Sequence, residues 1–556
     1  MNSTKSEYCL TYESEWSTVE STSVRGSGFV AGECYSTERL CTFFEGANST
    51  RELVDKLRSV NGFFALITEV DGDLVLATDR IQSIPLFYTN STDGVLVGTD
   101  SSQIVDRVGR SNRDPVHEAE YIVTGYVTGR DTLFDDIYQV QAGEFVVLSE
   151  DASAPAHREQ YYRYRHETPR ESTTRELLSD LDDVLVAAFS RLIDYADGRP
   201  IVLNMSAGYD SRLLATMLAR LEYENTIAFT YEYSGDESKY CEEIADSLGL
   251  EWVYVTQDHD EWREWYHSDK RVELDRNAGI IDAVPTIGPA IALKKLSEDG
   301  RVPEDSVFVT GDAASTTGDH IPASLIDANN GSLEQYIDSI LSNHYELFEW
   351  SSEFDEVFRD RIVRATDIDG LSTRDDVIDA FELWDWQERQ AKHILRNGLF
   401  DFWGYDWWHP LWDTEFVNFW LTVAPEHRYD RSLYERYTKE LYADVADRSI
   451  SEVETSFHER SSWVRKIERV LTGTPLKDPV ERIYREYMSP RTYDGNPIWG
   501  IMSRDQFDEI HSGRQVIHTF RILNVLGRLS LEPRGDGCTF KNGICLSDIE
   551  NNLFDN

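Results

Sequence analysis

The chain has 556 residues, too many for one hydrophobic core, so two or three domains are expected. Acidic residues number 101 against 54 basic ones, a net charge of −47, yet 40% of the chain is apolar and aromatics are abundant. This excludes a disordered acidic tail and describes folded domains under a negative coat. Such a coat repels nucleic acid and anionic membranes, so neither is an expected partner. It suits molar salt, where a Debye length of about 3 Å quiets self-repulsion, and a halophilic protein is expected. Cys9, Cys34, Cys41, Cys241, Cys538 and Cys545 are scattered, with no C-x-x-C pair and no histidine at ligand spacing, which argues against a disulfide or metal scaffold. No apolar leader core follows Met1 and no apolar run approaches about 18 residues, so the expected location is cytoplasmic.

In chain order, Phe63–Thr68, Leu74–Thr78, Pro85–Tyr88, Val95–Gly98 and Glu144–Leu148 read as short strands of an antiparallel sheet. Helices are expected over Ser49–Ser59 and around His117–Thr124. A charged linker, His166–Thr174, leads into a helix reaching about Ala196. The apolar run Ile201–Met205 then meets the turn Ser206-Ala-Gly208-Tyr-Asp210-Ser211, which opens into a helix with Leu213, Leu214, Met217 and Leu218 on one face. Ser206 and Gly208 let the backbone approach a ligand, and the helix N-terminus offers N–H groups to an anion. No Gly-Lys-Ser/Thr closes the turn and the three-glycine dinucleotide spacing is absent. On its own the pattern also fits a tight turn with a helix-capping Asp.

Thr226–Tyr231 and Leu250–Val255 read as further buried strands, separated by a helix from Asp236-Glu237 to Gly249, and Val307–Thr310 as another, ending at Gly311. Strand and helix in alternation imply a parallel, doubly wound sheet with a nucleotide at the carboxyl ends of its strands. Asn330–Leu371 is polar and reads as surface helices. Phe381–Arg428 is a dense aromatic helical region, in which Trp386–His393 is either a core helix with charged flanks or a functional face. Residues 456–491 are locally basic, an amphipathic helix or a phosphate- or partner-binding surface.

The Ser206-x-Gly208-x-Asp210-Ser211 order resembles the pyrophosphate loop of ATP pyrophosphatases that adenylate a carboxylate. Much of the chain resembles glutamine-hydrolysing asparagine synthetases. Asn61-Gly-Phe-Phe-Ala65 is similar to that family's Gly-x-Phe-Ala strand, and Asp79–Tyr88 to its Asp-Arg-x-Gly-x-x-Pro-Leu-Tyr-Tyr turn. Gly125–Gly129, Thr132–Phe134 and Gln141–Gly143 resemble the link between its two halves. Ala283–Ile291 resembles the helix with its Thr/Ser-x-Pro segment, Thr310-Gly311 the Ser-Gly strand end, and His409-Pro410-Leu411-Trp412-Asp413 the Arg-x-Pro-Phe-Leu-Asp element, with Trp408 standing at its Arg.

The resemblance implies an α+β domain of the N-terminal-nucleophile type over 1–165, a doubly wound α/β ATP-pyrophosphatase domain over 172–445 and a helical C-terminal extension over 446–556. It implies ATP and Mg²⁺ as cofactors. Asp210 is the expected metal ligand on pyrophosphate, Ser206, Gly208 and Ser211 the pyrophosphate donors, and Leu203, Phe229, Thr310 and Gly311 the surroundings of adenosine. The position matching the family's second acid is Ser315, so Asp312 is the expected second metal ligand, with Asp319 a turn further off. Arg431 stands for the catalytic Lys: it can stabilise negative charge but cannot shed a proton.

Family glutaminases use a Cys exposed when Met is removed, but position 2 here is Asn2. Cys9 would serve only after trimming of the residues before it, and the Asn-Gly-Glu motif survives only as Ala31-Gly32-Glu33. The first domain is therefore expected to keep its fold without glutaminase activity. The implied function is an ATP-dependent amide ligase that activates a carboxylate, aspartate or a relative, and transfers ammonia or an amine to it; a homodimer is left open. The alternatives are a non-catalytic nucleotide-binding partner protein and a lactam- or peptide-cyclase-like synthetase.

Overall fold

The structure is a computed structural model that describes residues 9–11, 16–89, 94–109, 112–149, 156–232, 237–277, 280–284, 286–311, 314–348, 350–366, 368, 370–394, 398–456, 493, 495–504, 507, 516–526, 529–531 and 538–540. Its first part is α+β. The strands are Cys9–Thr11 (β1), Ser17–Val19 (β2), Thr22–Val30 (β3), Glu33–Tyr35 (β4), Val60–Val70 (β5), Asp73–Thr78 (β6), Phe87–Thr89 (β7), Leu96–Gly98 (β8), Ile137–Gln139 (β9), Glu144–Leu148 (β10) and His157–Gln160 (β11). They form a sheet in the order β11-β10-β6-β5-β3-β2, with β4 on β3, and a smaller one in the order β1-β8-β7-β9.

In β5 the side chains alternate between two buried faces. Phe64 and Leu66 meet Leu40, Phe44, Leu53 and Leu57 of helices Thr37–Glu45 (α1) and Thr50–Ser59 (α2). Phe63, Ala65 and Ile67 join the core of the second half. Ala31 and Gly32 join β3 to β4 in a tight turn with both φ positive, 51° and 85°. One departure from an all-antiparallel sheet is the parallel pair of β1 with β8. These strands lie far apart in the chain, so no hairpin turn dictates their direction. Two helices that the hydrophobic pattern did not flag, α1 and Ser101–Val108 (α3), precede Pro115–Thr124 (α4).

The second part is built on five parallel strands in the order Glu251–Val255 (β14), Thr226–Tyr231 (β13), Ile201–Asn204 (β12), Val307–Val309 (β15) and Asp406–Trp407 (β16); for these, numbering follows the eleven strands above, with β12 first in the chain. Helices Thr174–Ala196 (α5), Tyr209–Arg220 (α6) and Ser238–Leu248 (α7) connect and cover it. Thr173 and Glu176 form a reciprocal cap on α5. The order reverses direction between β12 and β15, which makes their carboxyl ends the topological switch point.

Three sequence readings are corrected. Ala283–Ile291 is not a helix: Ala283 bridges to Tyr126 and the helix starts only at Ala290, after Pro289. The helices at Leu333–His344 and Glu353–Thr366 are not merely superficial, since Tyr336, Ile340, Phe354, Phe358 and Ile362 form a second core with Tyr121 and Val123. The C-terminal extension, read as helical, also contains an antiparallel strand pair, Leu529–Leu531 with Cys538–Phe540. The basic segment 456–491 lies almost wholly outside the described residues.

The two parts share one apolar core. Buried Asp413 fastens them, accepting from Arg191 Nε at 2.6 Å, from Arg191 Nη2 at 2.8 Å and from Asn61 Nδ2 at 2.9 Å. Asp385–Ile394 winds as a π-helix and is a core element, with Trp386, Gln387, Glu388, Gln390, Ala391 and Lys392 all buried. Its Lys392 and Glu388, both fully buried, pair at 2.5 Å, and Lys392 also donates to Val127 O and Gly129 O of the link. Among the described residues no helix is long and apolar enough to cross a membrane.

Candidate functional site

The switch point gathers the loop after β12, the start of α6, the end of β15 and the Arg431 turn. Leu203 is fully buried in β12, so only its backbone can face a ligand. The loop is tied to itself through Ser211: its Oγ accepts from Ser206 N at 3.0 Å and donates to Ser206 O at 2.9 Å. Ser206 Oγ accepts from Gly208 N at 3.3 Å, and Ala207 N donates to Glu237 at 3.0 Å. Gly208 caps α6 without any side-chain cap, which leaves the helix N-terminus to a ligand.

Gly311 follows β15 and presses on this helix start. A Cβ there would lie 2.7 Å from Asp210 Cβ and 3.1 Å from Ser211 N, so only glycine allows the approach. Thr310 Oγ1 is 3.4 Å from Nδ1 of His409, whose imidazole burial pushes down to about 3 and keeps neutral. Phe229 lies in β13, its ring in the core and its carbonyl accepting from Met205 N at 2.7 Å.

Arg431 meets Asp210 Oδ2 at 3.4 Å and Asp319 Oδ1 at 3.3 Å. Burial works against the guanidinium's charge, but Asp319 and Asp210 more than offset it. Asp430 and Arg431 both hold positive φ, 56° and 54°. Two consecutive non-glycine residues in the left-handed region cost about 1–2 kcal/mol each, a strain that aims Arg431 at the loop. Asp319 is thus closer to the loop than its place in the chain suggested: Gly318, at φ 88° against Arg428 O, turns the chain back. Asp312 lies outside the described residues, and so does the side chain of Ser315.

Four groups at this site escaped the sequence reading. Glu435 and Lys439 follow Arg431 at i+4 and i+8 on one helix face, and Lys439 Nζ stands 5.2 Å from the Tyr209 ring centre. That spacing was the available signal. Tyr434 is buried beside Asp210; burial first and that carboxylate second push its phenol far above the usual range. Arg212 lies fully buried beneath the loop, its guanidinium 4.9 Å from the Tyr442 ring, and burial pushes it down to about 10. Together these place the cations Arg212, Arg431 and Lys439 beside a helix N-terminus, interleaved with the carboxylates of Asp210, Asp319 and Glu435.

A separate cavity of about 870 Å³ opens between β3, β4 and residues 401–407, remote from this loop in the chain. Two ion pairs line it, Arg25–Asp401 and Arg199–Asp406. Cys34 lines it, and burial pushes that thiol up; Cys41, donating to Thr22 O, is likewise raised.

Residues 48–162 match the glutamine amidotransferase domain family, a similarity confined to that stretch. Among solved structures, the glutamine phosphoribosylpyrophosphate (PRPP) amidotransferase from B. subtilis, complexed with ADP and GMP, is similar at 12% identity over 52% of this chain and 61% of that one, with a TM-score of 0.18. An allosteric regulatory enzyme of purine biosynthesis is similar at 11% identity over 42% of this chain and 60% of that one, again with a TM-score of 0.18. This chain thus spans about three fifths of each, and neither TM-score carries the assignment further. No curated protein matches.

Proposed function

We propose that the protein is an ATP-dependent amide ligase resembling asparagine synthetase, which activates a carboxylate as its adenylate and passes the acyl group to ammonia or an amine. The observation that carries this is the convergence of Asp210, Gly311 and Arg431 on an uncapped helix N-terminus at the switch point of a parallel sheet. The residues fit a nucleoside triphosphate: the α6 N–H groups, Ser206, Arg431 and Lys439 form a donor set for phosphate oxygens. Asp210, with Asp319 or Asp312, suits the hard oxygen ligation of Mg²⁺. When bound, that ion would neutralise charge developing on the pyrophosphate.

The chain's own residues then divide the work. The N–H groups at the start of α6 and Ser206 Oγ hold the departing pyrophosphate. Arg431, always charged, moves from the carboxylates to the phosphates as they arrive, and takes no part in proton transfer. Glutamine hydrolysis is not part of this reading. Cys34 and Cys41 have thiols raised by burial, the reverse of an activated nucleophile. A cytoplasmic, halophilic setting and a small carboxylate partner complete the proposal.

The test is exchange of labelled pyrophosphate into ATP, with Mg²⁺, molar KCl and a panel of carboxylates. Exchange with at least one carboxylate is expected, lost in Asp210→Asn and lowered in Arg431→Ala. ATP binding without exchange for any carboxylate would overturn the ligase and leave a non-catalytic nucleotide-binding protein. Ammonia release from glutamine would refute the absence of glutaminase activity.

A further inference from the structure

The start of α4 holds a constellation that the proposed reaction does not use. Asp114 caps this helix with a single carboxylate oxygen, which accepts from Val116 N at 2.7 Å and His117 N at 2.9 Å. Opposite lies Asp135, held in place because Asp114 N donates to Leu133 O at 3.0 Å and Arg113 bridges to Phe134. Ligand atoms of Asp114, His117 and Asp135 all lie within 4.8 Å of one another.

Two features mark this as more than a patch of acid. The first is His117. Its Nδ1 is enclosed and has no hydrogen-bond partner among the described residues, while its Nε2 faces Asp131 at 3.3 Å. Asp131 is itself fixed by Arg361 at 3.2 Å, and Arg361 by buried Glu120 and by Thr128 O. A carboxylate accepting from Nε2–H leaves Nδ1 as the lone-pair nitrogen, the arrangement that commonly orients a metal-bound imidazole. The second feature is the carboxylate pair: ligand atoms of Asp114 and Asp135 come within 4.8 Å of each other and of the imidazole. Two carboxylates and an imidazole so placed suit a cation that takes mixed oxygen and nitrogen ligands.

We propose that Asp114, His117 and Asp135 form a binding site for a divalent first-row transition ion, zinc or manganese. An imidazole among the ligands disfavours calcium and magnesium, which take oxygen. Three protein ligands leave positions for water, and exposed Asp135 provides the way in. The bound ion staples the first turn of α4 to the 131–135 turn. This site is independent of the Asp210 loop and of the ligase reading.

The test uses chelator-treated full-length protein in molar KCl, dialysed against Zn²⁺ or Mn²⁺ and analysed for bound metal, with Co²⁺ as a visible-absorption probe of imidazole ligation. Wild type and Asp210→Asn are expected to retain an ion at this site, seen in the Co²⁺ spectrum. His117→Gln and Asp135→Asn should each lower affinity by about tenfold or more, and Asp131→Asn by about 10- to 100-fold. Asp135 is at the surface, so its variant keeps the fold and decides the matter if His117→Gln does not. Failure of wild type to take up Zn²⁺ or Mn²⁺ at micromolar concentrations, or unchanged uptake by Asp135→Asn, would overturn the site.

Discussion

Replacing Gly311 by Ala tests whether the closeness of β15 to α6 matters for chemistry. The new Cβ would lie 2.7 Å from Asp210 Cβ, 3.1 Å from Asp210 C and 3.1 Å from Ser211 N. Two of these atoms are backbone, so no rotamer change relieves them. Carbon atoms settle at about 3.5–4.0 Å, so Asp210 must retreat by about 1 Å. A displacement of that size in a reacting site costs about 100-fold in rate, and the overpacking costs about 1–3 kcal/mol of stability. The assay is pyrophosphate exchange with the best carboxylate found, beside urea unfolding of the same preparation. Gly311→Ala should remain cooperatively folded and lose about two orders of magnitude in exchange. Gly46→Ala is the control: its Cβ would meet Lys56 Nζ at 3.0 Å, the far end of a flexible side chain, and should leave exchange unchanged. A folded Gly311→Ala protein that exchanges at the wild-type rate would refute the reasoning.

Three further outcomes follow from the physics of burial and charge. Lys392→Met leaves Glu388 buried without its cation and should cost about 3–5 kcal/mol in thermal or urea unfolding, most of it recovered by adding Glu388→Gln; a single variant as stable as wild type would contradict this. Burial pushes Glu144 up to about 7 from its ordinary value of 4.5. A raised folded-state value means its stability contribution is complete below pH 4.5 and lost as pH rises through 7, so Glu144→Gln should match wild type near pH 4.5 and exceed it by about 3 kcal/mol at pH 8. A difference that does not change with pH would disprove it. Finally, with a net charge of −47, transfer from molar KCl to about 0.01 M salt lengthens screening from about 3 Å to about 30 Å and should lower the melting temperature steeply; equal melting in both would refute the halophilic reading.

Local pattern alone determined the strand, loop and helix at 201–220, because an apolar run, small turn residues and a 3.6-residue stripe each leave a signature within a few positions. The same holds for the helix ending at Ala196 and for α2, whose Ser49 cap and Leu53, Val54 and Leu57 stripe are written in adjacent residues. Tertiary structure alone decided which distant groups meet. Asp319 reaches Arg431 because Gly318 takes a left-handed turn and Asp430 and Arg431 take strained ones, conformations that no hydrophobic period encodes. The parallel pairing of β1 with β8, the buried Lys392–Glu388 pair and the Asp114, His117 and Asp135 cluster likewise depend on contacts between segments whose separation in sequence carries no local signal. Periodicity fixes which face of an element is buried, but what that face meets is chosen by the packing of the whole chain, where the free energy of burial is collected.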